Sequence, residues 1–266
     1  MLVLQNISKT FNPGTINEKK ALDGLNLHLR PGDFVTVIGG NGAGKSTMLN
    51  AVAGVWPVDE GRIILDGEDI TALPEHKRAH LIGRVFQDPM MGTAPNMQLE
   101  ENLALAARRG QKRGLKWGVT NAEREEYHER LKILGLGLED RMTSKVGLLS
   151  GGQRQAVTLL MAVLRKPKLL LLDEHTAALD PGTAAKVLEL SDKIVQENNL
   201  TTLMITHNMK DAIRHGNRLI MMNEGHIILD IEGEEKKKLT KQQLIDMFAQ
   251  KGASIDSDEA LLTKGG

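Results

Sequence analysis

Short apolar runs alternate with segments of helical spacing along most of the chain. Each run is followed by turn-forming or polar residues and then by a helix-like pattern, such as KSTMLNAVAG after the first run and GTAAKVLELSDKIVQENN after the second. The runs are Phe34–Gly39, Leu169–Asp173, Thr201–His207 and Arg218–Met222. Strands and helices in alternation predict a parallel sheet covered by helices.

Two parts of the chain depart from this alternation. Residues 1–33 and 61–70 have the pattern of antiparallel strands joined by glycine turns. Residues 99–140 are polar and charged with helical spacing, which predicts a helical subdomain inserted at about residues 92–160. The main domain is expected to span residues 1–232.

The C-terminal residues 233–266 are predicted to form a helix and a flexible tail. The segment EEKKKLTKQQLIDMF has helical spacing, and its charge run is expected to be solvated. The tail from Gly252 is rich in Ser, Asp and Gly, which is typical of a frayed terminus.

A separate basic stretch, Arg108–Gly118, is either a solvated face or a contact with lipid headgroups.

Composition excludes several classes of protein. The 34 Lys and Arg residues balance the 34 Asp and Glu residues, so no net field favours nucleic acid, and no nucleic-acid partner is expected. The absence of cysteine excludes disulfides, thiolate metal sites and a cysteine nucleophile. The N-terminus lacks the layout of a signal peptide, and no window approaches the roughly 18 apolar residues of a membrane span, so the chain is expected to be soluble.

The segment GGNGAGKST predicts a phosphate-binding loop. It matches the spacing G-x-x-x-x-G-K-[ST], follows an apolar strand and opens a helix. Glycines let consecutive backbone N–H groups point inward, the helix N-terminus adds positive potential, and the lysine adds a charge for the β- and γ-phosphates. A glycine-rich turn without a ligand is the alternative, but the strand and helix context favours a nucleoside triphosphate. The expected nucleotide-binding residues here are Gly39, Gly40, Asn41, Gly42, Ala43, Gly44, Lys45, Ser46 and Thr47.

A second anion-binding pattern, LLSGGQRQ, indicates which kind of phosphate-loop protein this is. A serine and two glycines that open a helix offer free N–H groups and a hydroxyl donor. Leu149–Gln153 resembles the LSGGQ signature of ATP-binding-cassette (ABC) ATPases, and the family's other marks follow in order over about residues 1–230. These marks are Phe11, the phosphate loop, Gln87 in RVFQDP, the signature, Asp173 and Glu174, Ala178–Asp180 and His207.

The resemblance implies an α/β fold and a set of partners. The fold would be a P-loop NTPase (RecA-like) core with an N-terminal antiparallel β subdomain and an inserted α-helical subdomain. In this family the phosphate loop of one cassette and the signature of another enclose each ATP head to tail, so a second copy of the chain is expected. Across that dimer, Ser150, Gly151, Gly152 and Gln153 would contact ATP in trans, and Asp180 would occupy the D-loop position.

The two acidic residues at the end of LLLLDE are expected to have different roles. Asp173 would bind Mg²⁺ together with Ser46 and Gln87, as the family's Walker-B aspartate does. Glu174 projects differently and would act as the general base that polarises the attacking water. By resemblance His207 would be the switch histidine that contacts the γ-phosphate, although a lone histidine is more often structural. Each of the two acids could instead be a salt-bridged strand end.

Two further residues remain open to more than one interpretation. Phe11 would stack on adenine, although a plain core phenylalanine would fit the same pattern. His175 stands where most ABC ATPases have proline, and it restores an N–H donor and adds a titratable ring. We interpret His175 as a subgroup marker that adjusts the loop rather than as a catalytic group.

The segment that follows Gln87 carries Met90, Met91 and Met97, and flexible methionines suit a groove for another protein's helix. Core-filling methionines are the alternative. The resemblance implies docking of a membrane permease near Gln87–Met97, on the cytoplasmic face of the cell membrane. It favours a bacterial importer that works with a substrate-binding lipoprotein and carries a small solute such as an amino acid. A soluble ABC ATPase of the iron–sulfur assembly type and a lipoprotein or peptide exporter ATPase are the alternatives.

Overall fold

The computed structural model describes residues 1–111 and 118–250. Most of the basic stretch Arg108–Gly118 and all of the predicted tail from Gly252 lie outside these residues. The strands are β1 (Leu2–Phe11), β2 (Lys19–Leu29), β3 (Phe34–Gly39), β4 (Glu60–Leu65), β5 (Glu68–Asp69), β6 (Ile82–Val85), β7 (Leu169–Asp173), β8 (Thr201–Ile205), β9 (Arg218–Asn223) and β10 (His226–Glu232). The α-helices are α1 (Lys45–Ala53), α2 (Glu75–Arg78), α3 (Leu99–Ala107), α4 (Asn121–Lys132), α5 (Gly151–Val163), α6 (Pro181–Glu197), α7 (Met209–Arg214), α8 (Gly233–Lys238) and α9 (Lys241–Gln250).

The chain divides into two compact units. The first unit comprises Met1–Arg78 and the chain from Asn199 onward, and the second comprises Ala79–Asn198.

The first unit contains a four-stranded antiparallel sheet in the order β2-β1-β4-β5. The central strand β1 pairs Leu2 with Leu29 on one side and with Leu65 on the other. All three leucines are buried because alternate side chains of each strand point to the apolar face. The antiparallel strands predicted for residues 1–33 and 61–70 are thereby confirmed.

The same unit contains parallel strands in the order β9-β3-β8. Every residue of β3 is buried, as expected for a strand covered on both faces. The apolar runs that begin at Phe34, Thr201 and Arg218 form β3, β8 and β9, which confirms the strand predictions in this unit.

Strand β10 was not predicted, and it pairs with β9 in the antiparallel direction. The cause is the two-residue turn at Glu224 and Gly225, where φ is 46° and 80°. Positive φ at both central positions defines a tight hairpin turn that suits the twist of the strands, and glycine adopts it readily. The Gly225 N–H also donates to the carbonyl of Ala43 at 3.0 Å, so this hairpin supports the phosphate loop.

Helix α9 closes one apolar cluster of the first unit. Leu244 and Phe248 of α9 are buried in this cluster together with Met221 and Ile231 from the neighbouring hairpin.

The expectation of a solvated charge run is wrong for Lys236 of α8, which is only 2% exposed. Its ammonium group donates to the carbonyls of His215 and Gly216, which compensates for its burial.

The second unit combines the parallel pair β6–β7 with helices α3 to α6. Within residues 99–140, helices α3 and α4 confirm the predicted helical character at Leu99–Ala107 and Asn121–Lys132. They are joined by Arg124, whose guanidinium binds both carboxylate oxygens of Glu100 at 2.6 and 2.8 Å. Helix α4 begins with a capping box, in which the Thr120 hydroxyl and the Glu123 carboxylate satisfy each other's backbone N–H groups.

The buried guanidinium of Arg78 fixes the end of α1, the helix that follows the phosphate loop. Arg78 is 2% exposed and donates to the carbonyls of Ala51 and Val52 at 2.7 and 2.9 Å. It also donates to the carbonyls of Leu73 and Thr71 at 2.7 and 2.9 Å. A cation at a helix C-terminus complements the helix dipole, so Arg78 stabilises α1 at the end opposite the loop.

We expect Arg78→Met to lower the free energy of unfolding by about 3 kcal/mol, because four carbonyls lose a charged donor inside the protein. Denaturant titration followed by circular dichroism measures the change. Arg62→Met, at an exposed position of β4, is the control and should shift the free energy by less than about 0.5 kcal/mol. Equal unfolding midpoints for the two variants would contradict the assignment.

Candidate active site

The loop between β3 and α1 has the backbone geometry of a phosphate cradle. Gly39, Gly42 and Gly44 have φ of 148°, 79° and 100°, and these angles curl the chain between the strand end and the helix start. Helix α1 begins directly after Gly44, which has no side chain to cap the first amides of the helix. These amides and the helix dipole are therefore available to an anion.

Lys45 closes this loop from inside. It is 5% exposed, and its ammonium group donates to the carbonyls of Gly39 at 2.6 Å and Gly40 at 2.9 Å. A further backbone bond of 3.1 Å runs from the Ala43 N–H to the Gly40 carbonyl. Ser46, in the first turn of α1, is exposed.

Phe11 lies at the end of β1 and packs edge-to-face on Trp56, with ring centroids 4.9 Å apart. The ammonium group of Lys9 lies 5.8 Å from the Phe11 ring centroid. The ring is half-buried, so it is held in place while part of it remains accessible.

His207 follows the end of β8 and precedes helix α7. The next residue, Asn208, caps that helix, since its side-chain oxygen accepts from the amides of Lys210 and Asp211 at 2.9 and 3.4 Å. The Asn208 N–H donates to the Thr206 hydroxyl at 3.1 Å. These bonds fix the backbone immediately around His207, whose side chain is half-buried.

In the second unit, Asp173 ends β7 and forms an ion pair with Arg84 of β6. The nitrogen–oxygen distance is 3.3 Å, and the two side chains are only 17% and 13% exposed. The Arg84 guanidinium also lies 4.5 Å from the centroid of the Phe86 ring. Sequence reasoning missed Arg84, although a lone cation in the apolar run IGRVF was a signal for a buried counter-ion. Gln87 follows this run and is exposed.

Glu174 has a left-handed backbone with φ of 47°. A non-glycine residue in this region is uncommon and is a feature that functional sites often contain. The Ala177 N–H donates to the Glu174 carbonyl at 2.9 Å, which closes a turn directly after β7.

His175 anchors this turn to helix α6. Its ring is 2% exposed, and Nε2 lies 3.0 Å from the Ser191 hydroxyl. That hydroxyl donates its own proton to the Val187 carbonyl at 2.8 Å, so it accepts the bond from His175. Ser191 was also missed by sequence reasoning, because nothing in its local pattern distinguishes it from a helix-surface serine.

The signature segment begins helix α5 with a capping box. The Ser150 hydroxyl accepts from the Gln153 N–H at 3.3 Å, and the Gln153 side-chain oxygen accepts from the Ser150 N–H at 3.1 Å. A Cβ on Gly152 would collide with the Thr183 methyl group of α6, so only glycine allows this approach. Asp180 caps α6 through the Thr183 N–H at 3.0 Å, and hydrogen bonds from Thr183 lower its pKa.

Two of the three methionines after Gln87 are not part of a core. Met90 and Met91 are 40% and 70% exposed, and so is Leu148 at 72%. The Met90 sulfur accepts from Arg154 at 2.7 Å, and Arg154 also donates to two carbonyls beside Leu148. The core-filling alternative therefore does not apply to Met90 and Met91.

No helix within residues 1–111 and 118–250 is long and apolar enough to cross a membrane. Across the same residues, no group of three or more His, Cys, Asp and Glu side chains could hold a metal ion by itself.

The phosphate loop between a buried strand and a helix, together with the acidic end of β7, defines a P-loop nucleotide-hydrolysing protein. The family model described as ABC transporter matches residues 22–177. The chain belongs to the ABC transporter family, and it is an ATP-hydrolysing subunit of the importer type.

Curated relatives cover nearly the whole chain. A tyrosine transport ATP-binding protein of Clostridioides difficile is 45% identical over 93% of this chain and 98% of its own length. A methionine import ATP-binding protein, MetN of Corynebacterium diphtheriae, is 34% identical over 98% of this chain and 76% of its own.

A solved structure supports the same assignment of fold. The ATP-binding cassette MJ0796, solved as a dimer in a post-hydrolysis state bound to ADP and Pi, is 31% identical and superposes with a TM-score of 0.74. The match covers 87% of this chain and 98% of that chain.

The anchoring of the turn by His175 leads to a prediction for Ser191→Ala. We expect the free energy of unfolding to fall by about 1 kcal/mol, because a buried imidazole nitrogen loses its hydrogen-bond partner. We expect ATP hydrolysis to slow by less than about tenfold, because a positioning contact and not a reacting group is removed. Steady-state phosphate release and thermal melting measure the two effects. Ser144→Ala, a half-buried serine of the same unit, is the control. A loss of turnover as deep as that of Glu174→Gln would instead place the His175–Ser191 pair in the chemistry.

Proposed function

We propose that this chain is the ATPase subunit of an amino-acid importer and that tyrosine is the first solute to test. The observation that carries the proposal is the 45% identity to a tyrosine transport ATP-binding protein over 98% of that protein's length. The relative named for methionine import is also named for an amino acid. No observation in the chain favours the soluble or exporter alternatives.

The nucleotide contacts are proposed residue by residue. The loop Gly39–Thr47 binds the phosphates of ATP, and Phe11 stacks on adenine. Support for the first comes from the curled glycine backbone and the uncapped start of α1. Support for the second comes from the fixed and partly accessible ring.

Mg²⁺ is the metal that the family implies, and the residues fit it. Ser46, Gln87 and Asp173 offer hydroxyl, amide and carboxylate oxygens, which are the donors that this hard cation prefers. Ser46 and Gln87 are exposed, and the carboxylate of Asp173 already forms an ion pair with the cation of Arg84. When bound, Mg²⁺ neutralises charge on the β- and γ-phosphates.

We propose that Glu174 orients the attacking water and accepts its proton at a carboxylate oxygen. The left-handed backbone of Glu174 turns this residue away from the direction of β7. His207 would donate a hydrogen bond to the γ-phosphate and respond to its loss. The bonds of Asn208 support this role because they fix the backbone beside His207.

The working unit is proposed to be a head-to-tail pair of two copies of this chain. Ser150, Gly151, Gly152 and Gln153 would contact the ATP held by the partner's phosphate loop, and Asp180 would contact the partner cassette. The capping box at the start of α5 satisfies the amide of Gln153, and the amides of Gly151 and Gly152 receive no side-chain cap from it. These two amides and the dimeric state of MJ0796 support this arrangement.

Glu174→Gln tests both the base and the dimer. We expect ATP to remain bound and the dimer to accumulate, because an amide cannot accept the proton from water and hydrolysis falls by about a hundredfold or more. Gel filtration with light scattering in the presence of ATP measures the dimer. Ser150→Arg added to Glu174→Gln should abolish the dimer and leave ATP binding to the monomer intact. A monomer for Glu174→Gln at saturating ATP would contradict the proposed dimer.

A membrane permease is proposed to dock near Gln87–Met97, at the cytoplasmic face of the membrane, with a substrate-binding lipoprotein in the same system. The exposed apolar side chains of Met90, Met91 and Leu148 support a protein contact there. Leu148 belongs to the helical subdomain at about residues 92–160, and Met90 and Met91 directly precede it. The surface would therefore lie at the edge of this subdomain, within an ATPase domain of residues 1–232.

The solute is tested by uptake of labelled amino acids in cells that lack this chain. We expect tyrosine uptake to fall severalfold and to return with the wild-type chain but not with Lys45→Ala, because the phosphate loop then loses its cation. Methionine uptake in the same cells is the control. A loss of methionine uptake alone would overturn the choice of solute and leave the ATPase assignment untouched.

A further inference from the structure

Lys19 places an ammonium group against the exposed side of the phosphate loop. A Cβ built on Gly42 would lie 2.8 Å from the Lys19 nitrogen and 3.9 Å from its Cε, so the tip of this lysine reaches the loop backbone. Lys19 is the first residue of β2 and pairs with Phe11 of β1. Residues paired across two antiparallel strands project from the same face, so Lys19 and Phe11 lie side by side.

The neighbours of Lys19 do not share this position. The next residue, Lys20, points to the opposite face of the strand, and its ammonium group pairs with Asp23 at 2.5 Å. The preceding residue, Glu18, uses its carboxylate to accept from the Gly14 N–H at 2.6 Å. Among residues 1–111 and 118–250, no carboxylate forms an ion pair with Lys19.

We propose that Lys19 binds the phosphate chain of ATP as a cation that does not belong to the loop motif. The inference rests on the proposed role of Gly39–Thr47 in phosphate binding. Lys45 approaches the loop from the protein interior, whereas Lys19 approaches it at exposed Gly42. Together they give the bound polyphosphate a cation from the interior and another from the solvent-exposed side.

The position of Lys19 favours contact with phosphate oxygens over contact with the nucleoside. An ammonium group is a compact charge with three donors and no acceptor, which suits phosphate oxygens. Phe11, at the paired position, is the residue proposed to hold adenine, so the two ends of the nucleotide would be bound by adjacent side chains.

The test is a fluorescence titration of the full chain with N-methylanthraniloyl derivatives of ATP, ADP and AMP. We expect Lys19→Gln to weaken ATP and ADP binding by about threefold to tenfold, the range for a partly solvated charged hydrogen bond. AMP should change by less than about twofold, because its single phosphate lacks the extended chain. Lys19→Arg should retain most of the affinity, and added salt should weaken ATP binding less steeply in Lys19→Gln than in the wild type.

Lys20→Gln is the matched control, since it removes the same charge from the adjacent position on the other face. If Lys19→Gln and Lys20→Gln bind ATP equally well, or if AMP loses as much affinity as ATP, the inference is overturned.

Lys45→Ala separates this result from the proposed function. If Lys45→Ala weakens ATP binding and Lys19→Gln does not, only the role of Lys19 fails. If Lys45→Ala also binds ATP normally, the proposed role of the loop fails.

Discussion

The hydrogen bonds from the buried Lys45 ammonium group to the carbonyls of Gly39 and Gly40 are the contacts on which the candidate site depends. They hold a curled loop at the end of a fully buried strand. The same loop is supported from behind by the turn at Gly225 and, at the far end of α1, by the guanidinium of Arg78. Three separate parts of the first unit therefore serve to keep one short segment of backbone in shape.

The elements that sequence predicts well are those whose pattern is strictly local. The fully apolar runs at Phe34 and Leu169 become strands with the predicted bounds, because a buried parallel strand needs continuous apolar residues. Strand β10 was missed because the turn before it contains glutamate where a hairpin more often has asparagine or aspartate, so the cue was weak. The burial of Lys236 was not predicted, because a run of charged residues is usually solvated. The sequence does not show that backbone carbonyls lie close enough to accept hydrogen bonds from its ammonium group.

The candidate site was predictable in its motif residues and not in the residues that support them. Spacing alone identifies Lys45, since the chemistry requires a lysine at one place in a glycine-rich loop. Arg84, Ser191 and Lys19 are each distant in sequence from the residues they contact, and their contacts depend on how strands and helices are paired. A single sequence has no signal for such pairings unless the residue type is itself out of place, as arginine is in the run IGRVF.

The left-handed backbone of Glu174 also bears on how this protein could be engineered. The left-handed conformation costs a residue with a side chain about 1 kcal/mol, and it costs glycine much less. Glycine at this position would therefore make the fold more stable. Selection for heat resistance alone would therefore favour loss of the carboxylate that we propose as the base. Glycine at this position would stabilise the fold and stop turnover together, so any version that is stabilised here has to be selected for ATPase rate at the same time.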